Sequence, residues 1–138
     1  MIVRDEAEMG ALARRVAARA VAGDIILLSG PLGAGKTVFA RAFVRARVGA
    51  DIVVPSPSFT LVQAYEAADL TIYHFDLWRL EGADFLTEIG WDEAAEGIRV
   101  VEWPERLGSF DEAALRVTIS VEGDSRRVEC QGEERWFA

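Results

Sequence analysis

The chain has 138 residues, 51% hydrophobic and 28% charged, which points to a single globular domain over 1–138. Fifteen basic against 23 acidic side chains give a formal net charge of −8, which disfavours stand-alone binding to nucleic acid or an anionic membrane. No apolar run reaches the ~20 residues needed to span a bilayer, no signal-peptide layout opens the sequence, and the lone Cys130 can build neither an internal disulfide nor a cysteine zinc site. The expectation is a small, soluble protein of a reduced, cytoplasmic compartment.

Asp5 and Glu8 have the spacing of a helix start, with Asp5 as N-cap. Met9, Leu12, Ala13, Val16, Ala17 and Ala20 follow at helical spacing, and Gly23 is the predicted stop. Residues 24–29 form a short apolar run suited to a strand buried on both faces, as in a parallel sheet. A glycine-rich turn over 30–35 leads into a second helix marked by Phe39, Ala42, Phe43 and Ala46, with Gly49 beyond its end. Pro55-Ser56-Pro57-Ser58 is a loop, because two prolines exclude a central strand or a helix. Strands are predicted over 59–65 and 70–78, short helices over 83–96 interrupted at Gly90, and another buried strand over 97–102 closed by Pro104. The tail, 115–121 and 126–130, alternates like an antiparallel hairpin turning at Glu122-Gly123-Asp124. This order predicts an α/β fold, a mixed sheet with flanking helices and an antiparallel C-terminal hairpin.

Charge is unevenly spread. Residues 1–50 hold eight basic against four acidic side chains, net +4, while the remainder holds seven against 19, net −12. That asymmetry fits either an anionic ligand near the N-terminal half with a polar partner surface elsewhere, or a merely solvated acidic surface. Fourteen of the fifteen basic residues are arginine, and the single lysine is Lys36.

Lys36 lies in Gly30-Pro31-Leu32-Gly33-Ala34-Gly35-Lys36-Thr37, which matches the phosphate-loop pattern G-x-x-x-x-G-K-[ST] between a buried strand and an amphipathic helix. Glycines let successive backbone N–H groups turn toward phosphate oxygens, and the next helix adds its positive dipole end. Lysine supplies a mobile charge for the β- and γ-phosphates, and the threonine hydroxyl a ligand for Mg²⁺. The candidate nucleotide contacts are therefore Gly30, Leu32, Gly33, Ala34, Gly35, Lys36, Thr37 and Val38.

Such a site also needs a carboxylate at a strand end. Glu102 and Asp76 both qualify, and either could instead be simply a surface acid at a strand end. Ser58 and Thr60 could sense a γ-phosphate or serve only as turn residues. His74 reads first as a structural imidazole, Trp103 as packing at a strand exit, and Cys130 as a small strand residue. The chain has no second lysine for a guanine-reading N-K-x-D motif and no L-S-G-G-like signature of transporter ATPases. Arg79 and Arg106 are the arginines near the region where a small-molecule kinase would carry its lid.

The strings G-P-L-G-A-G-K-T (30–37), S-P-S-F-T-L (56–61), Y-H-F-D-L-W-R-L (73–80) and V-E-W-P (101–104) together resemble the TsaE (YjeE) family of bacterial ATPases required for threonylcarbamoyladenosine formation in tRNA. The resemblance covers roughly residues 5–107. It implies a P-loop NTPase-like fold, binding of ATP and Mg²⁺, slow hydrolysis alone, and work alongside the protein partners TsaD and TsaB, with tRNA engaged only indirectly. Carried over by position, it implies that Lys36 binds phosphate and that Thr37 and Glu102 hold Mg²⁺. It further puts Asp76 in the catalytic motif, residues 58–60 in a switch-like loop and Asp5 near the base. Pro31, Ser58 and Trp78 replace a common acidic residue, threonine and tyrosine, and Ser58 keeps a hydroxyl. Two other classes stay open beside a partner-dependent ATPase: a small-molecule kinase and a non-hydrolysing nucleotide-dependent binding module.

Overall fold

The structure is a computed structural model that describes residues 1–109 and 113–137. Its first strand, β1 (Ile2–Val3), is too short to leave a sequence signal. Asp5 then takes extended backbone angles and accepts the Glu8 N–H at 2.9 Å, so α1 (Glu6–Arg19) starts where its cap requires. The helix ends four residues before the predicted Gly23. Arg47 reaches across from the second helix and donates to the carbonyls of Ala17 and Ala20, each at 2.7 Å, so the last turn needs no glycine cap. Gly23 instead shapes the turn into the next strand and donates to Gly97 O at 2.8 Å.

That strand, β2 (Ile25–Ser29), is buried on both faces, as its unbroken apolar run predicts. Ile26 and Leu28 join the core beneath the two helices, and Ile25 and Leu27 the core on the opposite face. After the glycine-rich turn, α2 (Lys36–Val48) packs beside α1 through Phe39, Ala40, Phe43 and Val44 and stops at Gly49.

The next strand begins later than predicted. β3 is Val62–Glu66, because residues 58–60 stay in a turn and Leu61 takes a left-handed backbone conformation with φ 67°. β4 (Thr71–Asp76) and β5 (Ile98–Glu102) follow, separated by 3₁₀ segments Ala83–Ile89 and Glu93–Glu96 with the break at Gly90. After a further 3₁₀ turn, Pro104–Leu107, the chain closes with β6 (Leu115–Glu122) and β7 (Ser125–Gln131), the predicted hairpin.

All seven strands form one mixed sheet in the order β1-β7-β6-β2-β5-β4-β3. β6, β2, β5 and β4 run parallel in the middle, while β3 and β7 pair antiparallel at the two flanks. The fold is therefore α/β, with the expected antiparallel additions. Its consequence for chemistry is positional. Ser29, Asp76 and Glu102 end β2, β4 and β5 at the same edge of the sheet, where α2 also begins. Among the described residues, no helix is long and apolar enough to cross a membrane.

Candidate functional site

The loop between β2 and α2 is built on two backbone requirements. A side chain at Gly30 would place a Cβ 2.5 Å from the Ile119 carbonyl of β6, so only glycine lets the loop leave the sheet there. Gly35, with φ 116°, turns the chain into α2 from a left-handed conformation that a side chain would strain. Lys36 and Thr37 are the first residues of α2, so their side chains stand beside the helix N-terminus and its free N–H groups.

Three distant segments converge on that point. Thr37 Oγ1 lies 2.9 Å from Glu102 Oε1 and 3.2 Å from Oε2. Asp76 is the register partner of Glu102 on the adjacent parallel strand. Asp76 accepts the Ser58 hydroxyl at 3.4 Å and the Trp78 N–H at 3.1 Å. Both carboxylates are buried in the protein. A cleft of about 240 Å³ joins Lys36, Thr37, Ser56, Ser58, Asp76, Glu102 and Trp103 with Leu32, Gly33, Gly35 and Val38 of the loop. Thr60 is exposed and does not line this cleft.

Lys36 is also buried. Its ammonium donates to Gly30 O and, at 3.4 Å, to Pro31 O, and it sits 3.5 Å from the centre of the Trp103 ring. Burial pushes its pKa below the ordinary lysine value, with the charges of Glu102, Glu105 and Asp76 acting in the opposite direction. Trp103 owes its position over the lysine to a left-handed backbone, φ 59° and ψ 54°, uncommon for a bulky residue, and its ring packs on Trp78 at 4.4 Å. Packing at a strand exit is thus only part of what this side chain does.

His74 is fully buried, as a structural imidazole should be, yet its Nε2 lies 2.6 Å from Glu102 Oε2. A carboxylate oxygen accepts, so Nε2 carries the proton. Among the described residues, His74 Nδ1 has no hydrogen-bond partner. Glu102 therefore takes one donor from each side, Thr37 and His74. Sequence reasoning read His74 as a structural imidazole and missed this contact; the parallel register of β4 with β5 makes it.

Asp5 lies on the other side of the loop. It helps line a separate cavity of about 140 Å³ with Val3, Met9, Ala34, Asp124 and Arg126, and Gly33, Gly35 and Val38 border both spaces. One Asp5 oxygen is engaged as the α1 cap. Ala34 is buried in the loop, whereas Leu32 is 73% exposed at its tip. Arg79 stacks on Phe59 and Arg106 on Trp78, and neither lines the cleft. A second residue that sequence reasoning missed is Arg126 of β7, which donates to Ala34 O at 3.1 Å and to Gly33 O at 3.4 Å.

The donor set bears on a metal. Thr37 Oγ1 and the Glu102 carboxylate are hard oxygen donors of the kind Mg²⁺ takes. Among the described residues no group of three His, Cys, Asp or Glu side chains makes a complete cage. A cation at Thr37 and Glu102 would therefore complete its shell from phosphate oxygens and water, the usual pattern for Mg²⁺ on a nucleotide.

The family model described as "Threonylcarbamoyl adenosine biosynthesis protein TsaE" matches residues 3–129. A tRNA threonylcarbamoyladenosine biosynthesis protein TsaE of Rickettsia felis is 40% identical over 130 residues, covering 93% of this chain and 76% of that protein. The protein of the same name in Bacillus subtilis is 36% identical over 123 residues, covering 87% of this chain and 76% of its own length. Among solved structures, the crystal structure of Bacillus subtilis YdiB superposes with a TM-score of 0.76 at 28% identity, over 99% of this chain and 87% of that one.

Proposed function

The chain belongs to the TsaE family of tRNA threonylcarbamoyladenosine biosynthesis proteins, and from that premise we propose that it is a Mg²⁺-dependent ATPase of that pathway, acting in the cytoplasm with TsaD and TsaB. The observation that carries the reading is the Thr37–Glu102 pair at 2.9 Å in the same cleft as Lys36. A hydroxyl, a carboxylate and one ammonium at a helix N-terminus are what a nucleotide triphosphate with its cation requires.

In this reading the backbone N–H groups of the loop and Lys36 bind the phosphates. Lys36 must leave Gly30 O and the Trp103 ring to do so. Thr37 and Glu102 would hold Mg²⁺, which would supply positive charge to neutralise the phosphate oxygens. His74 keeps the Glu102 carboxylate turned toward Thr37. Asp76, beside Glu102 in register and tied to the Ser58 hydroxyl, is the group placed to orient a water for in-line attack on the γ-phosphate. The two cavities that share Gly33, Gly35 and Val38 give a nucleotide a phosphate side and a base side across the loop.

The test is equilibrium binding of ATP with Mg²⁺, and phosphate release, for the wild type and Lys36→Ala. The reading requires that the substitution lower affinity or turnover at least tenfold with the fold intact, because a charged phosphate contact typically contributes above ~1.5 kcal/mol. Values within about threefold of wild type would overturn it. Phosphate appearing on an added acceptor rather than on water would move the assignment to a kinase.

A further inference from the structure

We propose that Arg126, on the C-terminal hairpin, is a positioning residue for the phosphate loop, an inference that rests on the phosphate-binding reading above. Its backbone is held on both sides, since β7 pairs Arg126 with Val121 of β6 and with Val3 of β1. From that fixed base the guanidinium reaches the loop 92 residues earlier in the chain, Nε donating to Ala34 O at 3.1 Å and Nη2 approaching Gly33 O at 3.4 Å. Nη1 donates to Ser125 O at 3.1 Å, which fixes the plane of the fork.

The effect on the loop follows from peptide geometry. In a trans peptide the C=O and the next N–H point in opposite directions, and the described chain holds no cis bond. With Gly33 O turned to Arg126, the Ala34 N–H points away, and it is found on Pro31 O at 3.1 Å. With Ala34 O also turned to Arg126, the Gly35 N–H points away from the hairpin. Arg126 thus keeps two carbonyl oxygens from facing an incoming anion and holds the following N–H groups in the opposite sense. Lysine, a point charge on a flexible stem, does not reproduce a planar fork across two carbonyls.

The experiment measures Kd by calorimetry for inorganic tripolyphosphate, which has no base or sugar, and for ADP, on the full chain. Arg126→Met should weaken both ligands about tenfold. Arg126→Lys, which keeps the charge, should lie between wild type and Arg126→Met. Arg127→Met removes the same charge one residue along, from a side chain paired with Glu122, and should stay within twofold of wild type. Four results would overturn the proposal: tripolyphosphate affinity of Arg126→Met within twofold of wild type, equal losses in Arg126→Met and Arg127→Met, wild-type affinity in Arg126→Lys, or a loss confined to ADP. If the wild type binds neither ligand, the phosphate-binding reading fails and takes this one with it. If the wild type binds both and Arg126→Met is unchanged, only the role of Arg126 falls.

Discussion

Lys36 holds its ammonium 3.5 Å from the centre of the Trp103 ring while donating to Gly30 O of its own loop. Burial lowers its pKa from the ordinary 10.5, so between that lowered value and 10.5 the unfolded chain binds more protons at Lys36 than the folded one does. Stability must then rise with pH across that window, because the ammonium is penalised only in the folded state. As the only lysine in the chain, it makes the measurement clean. Chemical denaturation of wild type and Lys36→Met between pH 7 and 10.5 should show the wild type gaining on the variant as pH rises. A difference that does not change with pH would mean that the ammonium carries no burial penalty.

Glu102 and Thr37 should separate binding from turnover. Glu102→Gln keeps the size but replaces one acceptor oxygen with a donor that faces either Thr37 or His74. ATP hydrolysis is expected to fall about 10²-fold or more while nucleotide affinity changes less, since the lost charge matters most as phosphate charge develops. Thr37→Ser, which keeps the hydroxyl, should retain most activity, and Thr37→Ala should not. Full activity in Glu102→Gln with none in Asp76→Asn would reverse the roles assigned to the two carboxylates.

The His74–Glu102 contact, at 2.6 Å and fully buried, should be energetically coupled. His74→Phe leaves a buried carboxylate with one donor fewer, a loss of about 1–3 kcal/mol. Removing both groups, in His74→Phe with Glu102→Leu, should cost less than the sum of the two single changes by about 0.5–3 kcal/mol. Strict additivity in urea denaturation would show that the imidazole is packing and nothing more.

How much of this was legible in the sequence depended on range. The glycine loop, the apolar run over Ile25–Ser29 and the helical face with Phe39 and Phe43 are local patterns, set by backbone sterics and by burial on one or two faces, and they read correctly. The late start of β3 was not readable, because Leu61 takes a left-handed conformation held by its N–H on Pro57 O and its carbonyl on the Asp76 N–H. The contacts of His74 and Arg126 cross 28 and 92 residues and exist only once strand order is set. In an arginine-rich chain nothing local distinguishes Arg126 from Arg127 beside it.

The last prediction concerns dependence on a partner. Among the described residues, the cleft lining supplies one cation, Lys36, and no arginine. The two nearest candidates by sequence are occupied elsewhere, Arg79 on the Phe59 ring at 4.6 Å and Arg106 on Trp78 at 5.7 Å. In P-loop enzymes an arginine supplied in trans is worth about 10³–10⁵ in rate. A smaller gain is expected if a partner only orders the loop that carries Ser56 and Ser58 over Asp76. Residues 51–138 carry a net charge of −12, which would complement a basic face on a partner. Phosphate release should accordingly be slow for the isolated chain, rise when the TsaB and TsaD proteins are added together, and stay slow with Lys36→Ala under the same addition. Rapid hydrolysis by the isolated chain, unaltered by those proteins, would make it an enzyme complete in itself, and the transition-state charge would then have to be met by the loop N–H groups and Lys36 alone.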